Sequence, residues 1–448
     1  MASVLEVTDR NGGQQTGTRQ MRQADTNTET GDDILQRYLQ KTPASQEAFN
    51  RAAKVVPGGN SRQAGYWAPY PLTIKSASGA WITDIDGNRY MDLLNNYTAL
   101  VHGHAYAPIT DAVAKQIGNG TCWAAINEAQ TDLAEQLTER VSSIEQVRFT
   151  NSGTEAGILA LIIAREVTGR QKILMARGGY HGSLLEFESG FSGEPGPMTY
   201  LGEYGDSDSF RQQLKQHGDE IAAVFLEPVM GASGIIAATP EFLNEVKQAT
   251  HTAGALFVLD EVLTFRLAVG GRQQSLGFEP DLTTFGKLIG GGFPVGAVGA
   301  SRELMRIFDP TDLRAYHTGT FNANPVTMLA GRVSVRELTA VRIEAMERQA
   351  SQLKHGLIDI ARETGLALTI NHVGSLLNLF FTDKHCGIHQ DRDDLDIIGR
   401  FHLACLNQGL FIAPRGLMAL STVFDDALIE QCLEKAKKAM QQTARETA

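Results

Sequence analysis

The chain has 448 residues, 42% of them hydrophobic and 20% charged, with a formal net charge of −11 at pH 7. That length exceeds what one hydrophobic core serves, so two domains are expected, and the acidic balance argues against nucleic acid or an anionic membrane surface as the main partner. The N-terminus shows no basic start leading into an apolar core, no run is long enough to span a bilayer, and Cys122, Cys386, Cys405 and Cys432 lack paired spacing, so a cytoplasmic enzyme with reduced thiols is expected.

Residues 1–30 are polar and without apolar periodicity, which predicts a disordered tail or an arm laid over a partner subunit. From Asp32 to about Val56, apolar residues recur at helical spacing until Pro57, Gly58 and Gly59 stop the pattern. Arg62 follows, with Tyr66 and Trp67 close behind. Such an arginine can clamp a carboxylate bidentately beside a place for an apolar body, although on its own it reads as a surface arginine packed on an aromatic ring. Ala80 to Leu94 reads as a hairpin turning at Asp86-Gly87. His102 and His104 are too few ligands for zinc and read as structural.

Beyond them, strands and helices alternate, the pattern of a mostly parallel sheet. Val147–Thr150 is a predicted strand that runs into Asn-Ser-Gly-Thr-Glu-Ala and then a helix to about Val167. Ser152, Gly153 and Thr154 therefore sit where unpaired helical N–H groups can hold a phosphate, or where Ser152 simply caps a helix. Lys172–Met175 leads into Arg-Gly-Gly-Tyr-His-Gly, so Tyr180 can lie on a flat ligand with His181 beside it. Ile221–Pro228 places Glu227 at the end of a buried strand, where open α/β sheets bind ligands. Ala255–Leu259 ends in Asp260, and Val262, two residues on, shares its side if the strand persists. Leu282–Phe285 leads into Lys287, which is set among apolar residues and glycines. An Asp-Glu pair after a strand also occurs in nucleotide hydrolases, but no GxxxxGK[ST] loop is present.

These segments, in this order, resemble class III (ω-type) aminotransferases of pyridoxal phosphate fold type I, near glutamate-1-semialdehyde aminomutases and β-amino-acid aminotransferases. The resemblance runs from Pro57 to the end of the chain and is carried by FTNSGTEA, GGYHG, LDEVLT, FGKLIGGG and GTFNANP. It implies an α/β large domain with a mainly parallel seven-stranded sheet at 99–335, and a small α+β domain from 31–98 and 336–448. It also implies pyridoxal 5'-phosphate, bound by Lys287 as a Schiff base, with Asp260 holding the pyridine nitrogen protonated. Tyr180 and Val262 would take the two faces of the ring, with His181 and Glu227 close by. The phosphate would rest on Ser152, Gly153 and Thr154, and on Gly319 and Thr320 of a neighbouring subunit, which makes the protein a homodimer.

A long helical stretch is predicted from about Thr327 to Thr364, followed by short strands such as Ser375–Phe381. His385, Cys386 and His389 are too few and too polar in context for a metal site, so no metal is expected. Arg415 follows Pro414 near a strand edge and can hold the carboxylate of a keto acid. The expected activity is transfer of an amino group from a β-amino acid, held by Arg62 and Tyr66, to 2-oxoglutarate or pyruvate. The alternative is glutamate-1-semialdehyde 2,1-aminomutase.

Overall fold

A strand buried on both faces reads as one apolar run, and Ile221–Leu226 is buried at every position. Its side chains alternate between two cores. Ala223 and Phe225 meet the helix Gly153–Thr168 on one face, while Val224 and Leu226 meet the helices Ser207–His217 and Pro240–Thr252 on the other. Phe225 and Phe257 are at most 1% exposed, and burial of each contributes about 2 kcal/mol.

The computed structural model describes residues 33–184, 187, 192–384 and 394–447; the predicted tail and His385, Cys386 and His389 lie outside them. Near the start, β1 (Ile74–Ser78), β2 (Trp81–Asp84) and β3 (Arg89–Asp92) form an antiparallel unit, with the predicted turn between β2 and β3. The large sheet uses β4 (Gln146–Thr150), β5 (Lys172–Ala176), β6 (Thr199–Gly202) and β7 (Ile221–Leu226). A two-residue pair, β8 (Val229–Met230) with β9 (Ile236–Ala237), lies between β7 and β10 (Leu256–Asp260). The sheet is completed by β11 (Leu282–Gly286) and β12 (Gly296–Ala300). It has seven strands in the order β4-β12-β11-β10-β7-β5-β6, and only β12 runs against its neighbours. This is the mainly parallel seven-stranded sheet that the resemblance implied.

Towards the C-terminus, β13 (Thr369–Val373), β14 (Leu376–Phe380) and β16 (Leu417–Ala419) form an antiparallel sheet, while β15 (Leu410–Phe411) pairs with β3. One apolar cluster joins Ile34, Met91 and Leu93 to Leu353, Phe401, Ile429 and Met440, so both ends of the chain share a core. The helical stretch expected from Thr327 to Thr364 is two helices, Pro325–Glu337 and Ala340–Thr364. The break falls at Leu338, which is fully buried, and at Thr339, whose hydroxyl caps the second helix by accepting from Arg342 N. The early helical pattern is also split. Thr42 and Pro43 divide Asp33–Lys41 from Pro43–Ala52, because proline has no N–H to continue the first helix. Among the described residues, no helix is long and apolar enough to cross a membrane.

Candidate active site

Six of the seven strands end on one side, and the residues singled out from the sequence stand at or just beyond five of those ends: Ser152 after β4, Tyr180 and His181 after β5, Glu227 after β7, Asp260 on β10 and Lys287 after β11. This is the edge at which open α/β sheets collect ligands.

Ser152 caps the helix Gly153–Thr168 by accepting from Glu155 N at 3.1 Å. The first N–H groups of that helix have no intrahelical acceptor and point away from it, a ready anion cradle. Two glycines press on the cradle. Gly296 of β12 passes so close that a Cβ there would lie 1.9 Å from Ser152 O. Gly182, with φ +108°, packs its backbone on Thr154, and a Cβ there would lie 2.8 Å from the Thr154 Cα. Gly182→Ala is therefore expected to strain the backbone and push the cradle aside, weakening retention of pyridoxal phosphate by about tenfold or more, measured by equilibrium dialysis. Unchanged affinity would show that the cradle tolerates the displacement.

Asp260 is 8% exposed and doubly held: Oδ2 lies 2.8 Å from His181 Nδ1, and Oδ1 accepts from Val262 N at 3.0 Å. Burial pushes the His181 imidazole down, but its hydrogen bond to Asp260 and the carboxylate charge outweigh this and raise its pKa above the ordinary value. Val262 packs beside Gly153 and Gly286, between the cradle and the lysine. Glu227 is engaged by the backbone around it. Its two oxygens accept from Tyr180 N and Gly231 N, each at 3.0 Å, so the carboxylate fixes the loop that carries Tyr180. Burial raises the Glu227 pKa, and Tyr180 itself remains 47% exposed above the strand ends.

Lys287 has φ +51°, a left-handed backbone rare for a residue with a side chain and a mark of functional positions. Part of its side chain still meets the open space above the sheet. Burial nevertheless lowers its pKa to about 8; Asp260 and Glu227 pull it upward, while Arg415 and Arg266 push it further down. Below pH 8 Nζ carries a proton and cannot attack; above it the free amine prevails. Covalent uptake of pyridoxal phosphate by the apoprotein is expected to rise with pH with a midpoint near 8, rather than near the ordinary lysine value of 10.5. Absorbance-monitored uptake with a midpoint at 10 or above would contradict this.

Arg62 donates from Nη1 to Asn96 Oδ1 at 2.8 Å, and its guanidinium lies 5.4 Å from the ring centre of Tyr97. Tyr66 leans on Phe49 with ring centres 6.1 Å apart, and Trp67 turns into the core against His402 and Phe411. The ring that serves Arg62 is Tyr97, 35 positions further along the sequence and not singled out from it. The charge of Arg415 also reaches this place: it lowers the pKa of both Tyr97 and Lys287, although burial leaves the Tyr97 hydroxyl raised. A cavity of about 710 Å³ opens beside Arg62, Asn96 and Tyr97, with Phe49, Trp67, Leu94 and Phe411 among its apolar walls. Lys287 is not among those walls; the cavity lies on the Arg62 side of the site.

Gly319 and Thr320 are exposed on a loop tied down at Asn322 and His317, which meet Asn151 and Arg148. Around them Phe321, Tyr316 and Ile126 are 62%, 78% and 89% exposed, an apolar surface of the kind that meets a partner. His102 is saturated, with Nε2 2.9 Å from Ser334 O and Nδ1 3.0 Å from Thr422 Oγ1, and His104 pairs with Asp92.

The family profile described as aminotransferase class-III matches residues 64–190 and 201–440. A β-phenylalanine transaminase of Variovorax paradoxus is 40% identical over 411 residues, spanning 89% of this chain and 93% of that protein. A glutamate-1-semialdehyde 2,1-aminomutase of Rhodopirellula baltica is 37% identical over 422 residues, spanning 89% and 96%. Among solved structures, a transaminase with PLP bound superposes with a TM-score of 0.86 at 33% identity, covering 90% of this chain and 99% of that one.

Proposed function

Because this chain belongs to the class-III aminotransferases, pyridoxal-phosphate enzymes of fold type I, we propose that it moves the amino group of a β-amino acid, aromatic ones included, to a 2-oxo acid such as 2-oxoglutarate or pyruvate. The observation that carries this reading is Arg62 lying on Tyr97, with the charge of Arg415 felt at both Tyr97 and Lys287. Two guanidinium groups give separate holds for the carboxylates of donor and acceptor. The apolar cavity beside Arg62 suits a phenyl substituent.

The residues fit the cofactor. A helix N-terminus faces the phosphate position, a buried carboxylate waits for a cationic ring nitrogen, and His181 Nε2 is buried without a partner at the same place. In this reading Ser152, Gly153 and Thr154 hold the phosphate, with Gly319 and Thr320 of a second subunit closing it from outside. The exposed apolar surface around that loop supports the homodimer. Tyr180 and Val262 bound the ring, and Asp260, oriented by His181, keeps its nitrogen protonated. Bound pyridoxal phosphate supplies an electron sink for the carbon that loses a proton. Lys287 Nζ would take that proton from the donor carbon and return it two atoms along, on the far side of the transferred nitrogen, and its low pKa suits both steps. The donor leaves as a 3-oxo acid and the acceptor as a 2-amino acid. Cytoplasmic residence belongs to the same proposal, supported by the unpaired thiols Cys122, Cys405 and Cys432 among the described residues.

The second reading is the aminomutase, favoured by the similarity to the Rhodopirellula protein. The two separate on acceptor dependence. Purified enzyme given β-phenylalanine is expected to turn over continuously with 2-oxoglutarate and only once without it. Steady isomerisation of glutamate-1-semialdehyde with no keto acid, and no reaction with β-phenylalanine, would establish the aminomutase instead.

A further inference from the structure

Four consecutive residues, none of them glycine, have left-handed backbone: Asn95, Asn96, Tyr97 and Thr98, with φ of 50°, 51°, 53° and 75°. Each such residue costs about 1–2 kcal/mol, with Asn the most tolerant, so a run of this kind persists only where its surroundings fix it. Asp92 Oδ1 accepts from Leu94 N at 2.7 Å and from Asn95 N at 2.9 Å, while its Oδ2 lies 2.6 Å from His104 Nε2. Asn95 Nδ2 donates to Ala419 O at 2.6 Å. At the far end, Thr98 O accepts at 3.2 Å from Arg266, whose side chain is fully buried and is also held by Ser375 Oγ and Leu420 O.

The outer members of the turn, Asn95 and Thr98, are buried, whereas Asn96 is exposed and Tyr97 half-buried. The strained backbone thus presents two side chains next to each other, and both go to Arg62. Asn96 accepts its hydrogen bond and Tyr97 supports its plane, while the Tyr97 hydroxyl fastens the same segment by donating to Ala64 O. An amide oxygen orients a guanidinium without cancelling its charge, as a carboxylate in that position would.

We infer that Asn96, presented by the left-handed turn and backed by Tyr97, is a specificity-determining positioning residue that aims Arg62 at the carboxylate of the amino donor. This rests on the proposed role of Arg62, and the test separates the two claims. The quantity to measure is kcat/KM for β-phenylalanine divided by kcat/KM for 1-phenylethylamine, the same skeleton without its carboxylate. A residue that served the fold alone would change both terms together. Arg62→Ala is expected to lower the ratio by more than about tenfold, and Asn96→Asp by about tenfold, the size of one charge-assisted hydrogen bond. Asn96→Gly keeps the turn without risk to folding, since glycine takes positive φ freely, and is expected to lower the ratio several-fold as Arg62 loses its direction. A ratio unchanged in Asn96→Gly while Arg62→Ala lowers it overturns the positioning role and leaves Arg62 as the carboxylate site. A ratio untouched by Arg62→Ala overturns both.

Discussion

Lys287→Ala is expected to abolish steady turnover, lowering kcat by at least about ten-thousand-fold, because in the proposed reaction one nitrogen supplies both the covalent hold on the cofactor and the proton transfer at the substrate carbon in each half-reaction. The variant should still fold. At neutral pH the native amine is protonated and largely surrounded by protein, a cost that alanine removes, so the apoprotein's thermal midpoint is expected to hold or rise. The cofactor should then be lost more readily on dialysis, since noncovalent contacts alone retain it. Absorbance, thermal denaturation and turnover on one preparation decide the matter. Steady catalysis by a well-folded variant would mean that another base serves the reaction and that the site is misassigned.

Asp260→Asn is expected to lower kcat by about a thousand-fold through two effects that add. The negative charge proposed to keep the ring nitrogen protonated is lost, and with it much of the electron sink. Geometry suffers as well. Both Asp260 oxygens already accept, from His181 and from Val262 N, so an amide must turn its NH2 towards one of two donors. His181 is expected to move or lose its proton, since its raised pKa depends on the carboxylate. Carbon-13 or proton resonances of His181 would report that change independently of activity. An Asp260→Asn enzyme that kept more than a tenth of wild-type kcat would remove Asp260 from the ring-nitrogen position.

Much of this site could be read along the sequence because the fold writes it locally. A strand end followed by a fixed tripeptide places Ser152 to Thr154. The same holds for Asp260, the last residue of its buried strand, and for Lys287, the residue directly after its own. What could not be read depends on contacts between distant segments. His181 meets Asp260 across 79 positions, and Arg266 reaches Thr98 across 168. Glu227 stands at a strand end as expected, yet its oxygens turn to backbone N–H groups of a loop whose path no local pattern predicts. The left-handed turn at Asn95–Thr98 contains no glycine, the usual signal of positive φ, so its sequence reads as ordinary chain. Tyr97 carries no local signal for that reason. The break at Leu338 is hidden because apolar spacing continues across it, and only the burial of Leu338 and the capping hydroxyl of Thr339 reveal it.

The reversed strand β12 bears on how the chain reaches this structure. β4 has no other neighbour in the sheet, and its partner residues lie far downstream, with Thr150 opposite Gly296. On the ribosome β5, β6, β7 and β10 can begin to pair as they emerge, but β4 waits, unpaired, until β12 has been made. The anion cradle that follows β4 therefore matures late. Nascent chains that end before Gly296 should bind no cofactor and should expose a strand edge prone to association, so the interval between synthesis of β4 and of β12 is when this protein most needs a chaperone.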